Sequence, residues 1–157
     1  MDESNPTKVQ FVYRIAPGEE WEAARAKGAY YGGKLDQQFI HLSSAKQVPG
    51  TLERFYRGRN DLSLLQIDVG KLAVEGHLEW EWAEGQQFPH FYGPSHTFAP
   101  LPLDAVVEST KLELIGTQHS LPTLPSYCIS SGYIQGELRP PLLMTVILNS
   151  PIVRAKL

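Results

Sequence analysis

The sequence predicts an α+β fold with a split, mostly antiparallel β-sheet core and short helices. Segments that alternate apolar and polar residues, as half-buried strands do, recur between residues 9 and 115. Helical segments lie among them without the regular strand–helix–strand rhythm of a parallel sheet. With 157 residues, 42% of them hydrophobic and 20% charged, the chain is long enough for one domain with a proper core and a tail.

The first element is a strand over residues 9–15, where apolar residues fall on one face. A helix follows over 19–27, because acids occupy its first turn, bases its last, and Gly28 comes just after its end. Trp21 is expected to anchor this helix to the core. Residues 29–38 contain two tyrosines and two adjacent glycines and predict a mobile loop.

The next strand is the run Phe39-Ile40-His41-Leu42-Ser43-Ser44, which is apolar on at least one face. Alternation sends Phe39, His41 and Ser43 to one side and Ile40 and Leu42 to the other. Ser44 with Gln47 predicts a capping box that ends the strand and starts a helix. We expect that helix to be interrupted at Pro49 and to resume over 51–56.

The second half of the domain contains mainly strands. Residues 62–69 predict a strand buried on both faces, and 78–82 a strand that alternates cleanly. Residues 88–102 are rich in proline, glycine and aromatics and predict an ordered loop over one end of the sheet. Short strands at 105–107 and 112–115 complete the domain, which we place at residues 8–115.

Residues 116–157 form the predicted tail, which is proline-rich and carries few charges. We expect it to be disordered or loosely docked, with 142–148 able to add one edge strand. This apolar stretch is too short to span a bilayer, and residues 1–7 do not have the pattern of a signal peptide.

Charge and cysteine content narrow the classes of function. The net charge of -3 and pI of about 5.9 provide no basic field for nucleic acid, so no nucleic-acid or membrane partner is expected. Cys128 is the single cysteine, which excludes an intrachain disulfide and a cysteine-based zinc site and suits a cytoplasmic location.

Two histidine-bearing segments carry the candidate chemistry. About fifty residues after His41, the run Phe88-Pro89-His90-Phe91-Tyr92-Gly93 echoes the first segment. We expect His41 and His90 to share a cleft, where a neutral imidazole can bond a ribose hydroxyl or a carbonyl and a charged one can pair with phosphate. The alternative is that each histidine only stabilises the structure around it.

Three further residues are candidate ligand contacts, each with a structural alternative. Ser43 can donate to a ligand oxygen or cap the helix. Tyr92 can stack on a base or a nicotinamide-like ring, or serve only in packing. Arg14 can hold a phosphate bidentately or face solvent.

Glu81 is the candidate acid or base beside the histidines. A neighbouring tryptophan can raise its pKa, although Glu79 and Glu81 can equally form the solvent-facing side of their strand. Trp80 and Trp82 are expected in the core.

Other site types fit the sequence less well. His90, His96 and His41 match no zinc signature, so no metal site is predicted. Ser43 and Ser44 lie in no Gly-x-Ser-x-Gly elbow, and the chain has neither a phosphate loop nor a Gly-x-Gly-x-x-Gly motif.

A resemblance to a known family rests on several separate motifs in order. They are Phe11-Val12-Tyr13-Arg14-Ile15, Trp21 with Ala24, Phe39-Ile40-His41-Leu42-Ser43-Ser44, Gln47, the strand to Asp68, Trp80-Glu81 and Phe88-Pro89-His90-Phe91-Tyr92-Gly93. Over about 10–107 the chain closely resembles the domain-of-unknown-function family 952.

The resemblance implies a fold like that of the ADP-ribosyltransferases and the NAD-using RNA 2'-phosphotransferases, with an NAD cleft between two sheets. His41-Leu42-Ser43 would match the second motif of those enzymes. Tyr13-Arg14 lies where their first motif has a ribose-binding His, so Arg14 departs from that pattern. Glu81 and Glu84 are the candidates, by order along the chain, for the transferase Glu of the third motif.

The sequence therefore predicts a small protein that binds a nucleotide or small polar metabolite in a His-lined cleft. The predicted catalytic residues are His41, His90 and Glu81, and the predicted cofactor-binding residues are Arg14, Ser43 and Tyr92, with NAD as the candidate cofactor. Three functions stay open: an NAD-using transferase, a non-catalytic ligand-binding module, and a metabolite-processing enzyme that uses the two histidines for proton transfer.

Overall fold

Two three-stranded antiparallel sheets form the framework of the computed structural model, which describes residues 9–124. The first has β4 (Leu62–Asp68) between β1 (Phe11–Pro17) and β8 (Val106–Lys111). The second has β6 (Gln86–Tyr92) between β3 (Ile40–His41) and β5 (His77–Ala83). The predicted α+β class with mostly antiparallel strands is confirmed.

Within residues 9–124, the backbones of the two sheets are joined by one residue pair. Tyr13 and Ser43 exchange two backbone hydrogen bonds, each with N···O 2.8 Å, so the segment after β3 pairs with the edge of β1. Leu42 N–H in turn donates to the carbonyl of Pro89 on β6 at 3.0 Å. The run 39–44 is therefore hydrogen-bonded to both sheets and forms the seam between them.

Two short strand pairs complete the sheet structure. β2 (Ala29–Tyr30) pairs with β7 (Leu101–Pro102), and β9 (Glu113–Ile115) pairs with β10 (Gln118–Ser120). The predicted domain boundary after residue 115 falls in the turn between β9 and β10. The first part of the predicted tail thus belongs to the described structure, whereas 125–157, including Cys128 and 142–148, lie outside the described residues.

The first two helices follow the sequence signals. α1 (Gly18–Lys27) ends at Gly28, whose φ of 85° lets its N–H reach the carbonyl of Ala24. The predicted capping box of Ser44 and Gln47 is confirmed, and it begins a 3-10 turn that leads into α2 (Val48–Phe55). Pro49 lies in the first turn of α2, where no backbone donor is needed, so the predicted interruption there is wrong.

A third helix was not predicted. α3 (Val69–Glu75) directly follows β4, and the Asp68 carboxylate caps it by accepting from the N–H of Lys71 at 3.0 Å. Within the described part of the chain, no helix is long and apolar enough to cross a membrane.

β6 corrects the predicted loop over 88–102. Pro89 argues against a central strand because it has no N–H to donate. The Pro89 nitrogen lies on the side of the strand that faces β3, as its carbonyl does, and the pairing of β3 with β6 ends one residue away, at His41 and His90. Pro89 therefore lies at the end of that ladder, where a residue without an N–H is tolerated.

Two apolar clusters form the core. One contains Val12, Ile40, Leu65 and Phe91, and the other contains Tyr13, Ile15, Val48, Leu52, Leu62, Leu64 and Leu112. As predicted, β4 is buried on both faces and Trp21 packs against the first cluster. Trp80 also packs there, but Trp82 is 73% exposed, close to the hairpin turn at Glu84 and Gly85, so its predicted core position is wrong.

Gly76 offers a test of how tightly α3 joins the second sheet. A Cβ on Gly76 would overlap the backbone carbonyl of Tyr92 and touch the ring of Phe91. Gly76→Ala should therefore lower the free energy of unfolding by about 1–3 kcal/mol in urea denaturation. Gly50→Ala is the matched control, because a Cβ there meets nothing within 4 Å and alanine favours the helix interior, which should add up to about 1 kcal/mol. Equal effects of the two substitutions would contradict this packing.

Candidate functional site

A cleft of about 870 Å³ opens beside the seam between the two sheets. Its walls come from β1, the loop 33–39, the segment 41–43, α2 and the β5–β6 hairpin. The predicted site residues all line it: Arg14, His41, Ser43, Glu81, Glu84, His90 and Tyr92. Two polar networks, each ending in an imidazole, form its inner part.

The first network is centred on Arg14, which is only 7% exposed. Its Nε donates to the Tyr30 hydroxyl at 2.9 Å. Nη1 donates to Asp36 Oδ1 at 3.1 Å and to the His41 carbonyl at 2.9 Å. Nη2 donates to Asp36 Oδ2 at 2.8 Å and to Glu20 Oε1 at 3.0 Å. A guanidinium has five N–H donors, so each donor of Arg14 has a protein acceptor.

Asp36 links this buried cation to His41. Its carboxylate also accepts from the N–H of Gly33 at 2.8 Å, from the N–H of His41 at 3.0 Å and from His41 Nδ1 at 2.9 Å. Burial alone would raise the pKa of Asp36, but the hydrogen bond from His41 and the charge of Arg14 hold that pKa well below its usual range. An ionised carboxylate only accepts, so Nδ1 of His41 carries the proton and Nε2 is the second functional atom of the ring.

The loop 29–38, predicted to be mobile, is fixed around these carboxylates. Gly32 has a φ of 78°, and a Cβ on it would overlap the side chain of Asp36. A Cβ on Gly33 would overlap Glu20 Oε2. The two glycines are therefore required where the backbone wraps closely around the Arg14 network.

The second network joins His90 to Glu81 across β5 and β6. His90 Nδ1 lies 2.6 Å from Glu81 Oε1, and the Tyr92 hydroxyl donates to the same oxygen at 2.8 Å. Burial lowers the pKa of His90. Burial would raise the pKa of Glu81, yet the hydrogen bonds from His90 and Tyr92 lower it. Burial and Glu81 raise the pKa of Tyr92 to about 12. Near neutral pH, His90 is thus uncharged, with its proton on Nδ1 and a lone pair on Nε2.

The two imidazoles are neighbours. Their ring centroids are 5.3 Å apart at an interplanar angle of 65°. Phe39 stacks on His90 with centroids 4.1 Å apart and lies 4.7 Å from His41. The structure thus brings together the two histidines that the sequence placed in one cleft, while the catalytic role of His41, His90 and Glu81 stays a prediction.

The predicted ligand contacts occupy different positions in the cleft. Thr51 donates its hydroxyl to the Gln47 carbonyl at 3.0 Å, so Ser43 is the donor in its 3.3 Å bond to Thr51. Ser44, rather than Ser43, caps the helix. Tyr92 stacks on His96 with centroids 3.9 Å apart. Direct ligand contact by Arg14, Ser43 and Tyr92 stays a prediction; in the structure Arg14 holds the cleft wall together.

The sequence analysis missed two residues of the site. Asp36 lies in the segment 29–38 that was predicted as a mobile loop, five residues before His41, and Glu20 was assigned only to the acidic first turn of α1. Two carboxylates and a Gly-Gly pair near Arg14 in the sequence could have indicated a charged cluster. Nothing local, however, shows that this strand arginine is buried.

A comparison with models of protein families identifies the family of this chain. The family model described as "Protein of unknown function (DUF952)" matches residues 15–109. The chain belongs to this family. The part of the prediction that named domain-of-unknown-function family 952 is therefore confirmed.

Solved structures of a similar protein cover most of the same region. The crystal structure of protein CC0527 from Caulobacter crescentus is 32% identical, with a TM-score of 0.60 over 69% of this chain and 91% of that one. The solution NMR structure of CC0527 is also 32% identical, with a TM-score of 0.57 over 69% and 90% of the two chains. None of the curated proteins matches this chain.

The Arg14 network makes a stability prediction. Arg14→Met leaves two buried or half-buried carboxylates, Asp36 and Glu20, without their cation. The free energy of unfolding, measured by urea denaturation, should therefore fall by about 3–5 kcal/mol. Arg59→Met is the matched control, because Arg59 and its partner Asp61 are both solvent-exposed and such pairs contribute at most about 1 kcal/mol. A similar small loss for both variants would contradict a central role for Arg14.

The Glu81–His90 pair leads to a prediction about how stability and the titration of His90 depend on pH. Because the pKa of His90 is lower in the folded state, its contribution to stability is complete above about pH 6.5, the ordinary value, and is lost as the pH falls through the folded pKa. Imidazole ¹⁵N shifts should show titration below that value and the proton on Nδ1. Glu81→Gln should lower the pKa of His90 further, since the carboxylate favours the charged ring. A rise of the pKa in Glu81→Gln would show that the pairing is not as described.

Proposed function

We propose that this DUF952 protein is an enzyme that moves protons on a small, partly polar metabolite, with His90 as the base and His41 as the second imidazole. The observation that supports this best is the convergence of two carboxylate–imidazole pairs, Asp36–His41 and Glu81–His90, in one cleft. A histidine satisfied only for structural reasons needs no second histidine pair 5.3 Å away.

His90 has the properties of a general base. Its uncharged ring presents Nε2 as an acceptor, and Glu81 fixes the tautomer and would stabilise the imidazolium that forms when a proton is taken up. Tyr92 keeps Glu81 in place with a second bond to the same oxygen. These contacts resemble the way a buried carboxylate orients the base of a catalytic triad.

His41 is oriented in the same manner from the other side. Asp36 holds its Nδ1, and Arg14 together with three other hydrogen-bond donations keeps Asp36 ionised and immobile. Asp36 is thus a positioning residue. In the proposed reaction the substrate gives a proton to Nε2 of His90, and a doubly protonated His41 gives one from its Nε2 to a neighbouring substrate atom. Proton exchange with solvent then restores both rings.

A second candidate is the NAD-using transferase expected from the sequence resemblance. It is supported by the arrangement of two antiparallel sheets with a cleft beside their seam and by Glu81 in the cleft wall. One observation argues against the transferase. A pyrophosphate needs hydrogen-bond donors, and each N–H of Arg14 already has a protein acceptor. A non-catalytic binding module would use the same cleft without turnover.

The proposal is tested by following a small-molecule extract incubated with the protein by mass spectrometry. The wild-type protein should convert at least one metabolite, and His90→Gln and His41→Gln should each slow that conversion by about 10²–10⁴-fold. His77→Gln is the matched control, since His77 is exposed and its Nε2 bonds the carbonyl of Pro94 outside the cleft. Conversion that is unchanged in both cleft variants would overturn the assignment.

A parallel incubation with NAD separates the three functions. Release of nicotinamide that depends on Glu81 would favour the transferase, and a rise in melting temperature with NAD or ADP-ribose alone would favour the binding module. Metabolite conversion without nicotinamide release would favour proton transfer.

A further inference from the structure

We infer that the ligand of this cleft is an amphipathic amine or amidine, with its N–H head among the imidazoles and an apolar body at the mouth. This inference rests on the proposed function and names the substrate class of the same site. Two independent features support it: an inner surface made of hydrogen-bond acceptors and an outer rim made of large apolar side chains.

The inner cleft presents acceptors without partners. Oε1 of Glu81 already accepts hydrogen bonds from His90 and Tyr92. Oε2 has no hydrogen bond within the described residues, and the side chain is 38% exposed. His90 is 7% exposed, and its Nε2 likewise has no partner in the part of the chain that the structure describes. A buried acceptor facing a cleft calls for a donor from the ligand.

The donors near these acceptors are already in use. All five N–H groups of Arg14 donate to protein oxygens. The Thr51 hydroxyl donates to a backbone carbonyl, so the Ser43 hydroxyl is the donor in its bond to Thr51. The hydroxyl of Tyr92 goes to Glu81. The other side-chain donors named in the lining include the Tyr56 hydroxyl and the exposed Lys34 ammonium. A ligand that offers oxygens, such as a carboxylate or a phosphate, would therefore find few donors beside Glu81 and His90.

The charges of the cleft point the same way. Four carboxylates line it, on Glu20, Asp36, Glu81 and Glu84, and the exposed Lys34 is at its edge. Arg14 pairs with Glu20 and Asp36, and Arg54 pairs with Glu84, so Glu81 is the lining carboxylate that has no Arg or Lys partner in the described chain. Its charge beside the imidazoles favours a cation and repels an anion. The stacked ring of Phe39 adds a π face beside the imidazoles.

The mouth of the cleft is apolar. Leu35, Phe55 and Trp82 line it and are 78%, 58% and 73% exposed. Single exposed apolar side chains are common on protein surfaces, but three large ones around one opening form a patch that an apolar ligand body would cover. A small molecule with a polar end inside and an apolar end at the rim matches this distribution.

The substrate class also fits the geometry of the acceptors. An ammonium or amidinium head can donate one N–H to Nε2 of His90 and another to Oε2 of Glu81, and no covalent bond forms or breaks in this binding step.

The test uses three probes of similar shape on the full chain: 2-phenylethylamine, 2-phenylethanol and 3-phenylpropionate. Calorimetric titration should give the amine a dissociation constant at least tenfold below that of the alcohol, and the carboxylate should bind most weakly. Glu81→Gln should remove the preference for the amine. Glu79→Gln is the matched control, because it removes the same charge from the same strand outside the cleft lining, and it should keep the preference within about twofold.

The rim is tested separately. Trp82→Ala should weaken the amine and the alcohol by the same factor, while Val74→Ala, at an exposed apolar residue away from the cleft, should weaken neither. Equal binding of the three probes, or no binding of the amine at millimolar concentration, would overturn the ligand class. Histidine-dependent metabolite conversion would then still support the proposed function. Preferred amine binding without any such conversion would instead leave a binding site and overturn the proposed reaction.

Discussion

The buried contact between Arg14 and Asp36 is the interaction on which the rest of the site depends. Two charges taken out of water are costly unless each is fully hydrogen-bonded, and here the guanidinium uses five donors and the carboxylate five incoming bonds. This requirement draws the helix α1, through Glu20, and the loop 33–36 toward β1. The same contact decides where His41 lies and which of its nitrogens carries the proton.

The seam between the sheets explains why the cleft lies where it does. At Ser43 the chain leaves the short strand β3 and pairs with β1 through Tyr13 only, so the two sheets do not continue into one another. Side chains on one side of the run 39–44 close the core, with Ile40 and Leu42 buried. Those on the other side face an open wedge, and the β5–β6 hairpin and α2 form its remaining walls.

The two imidazoles are equivalent in chemistry but not in environment. His90 is enclosed, stacked under Phe39 and held by a carboxylate at the edge of the cleft. His41 is more open to the cleft, and its carboxylate is locked against a buried arginine. A pair of similar groups in different surroundings is the arrangement by which proteins separate the roles of acid and base. The acceptor-rich interior and the apolar rim together restrict what can lie between them.

Much of this could be read from local patterns. The alternation along 39–44 predicted which side chains face the core and which face the cleft, and the spacing of Ser44 and Gln47 predicted the turn that follows. The strand–helix pair at the start and the buried β4 depend on hydrophobic period and end signals alone, which are local properties. The similarity of the two histidine segments also indicated a shared site.

Other features depended on contacts between distant residues. Pro89 is tolerated in β6 only because β3 stops beside it, and Trp82 is exposed because the hairpin extends beyond the core. Asp36 and Glu20 become part of the cleft wall only because the fold buries Arg14 between them. The sequence by itself determined the class of fold and the residues able to do chemistry, since these follow from periodicity and side-chain type, and its ordered motifs carried the resemblance to DUF952. The tertiary structure alone decided their pairing, protonation and access to ligand, because burial and charge neighbourhood arise from residues far apart in the chain.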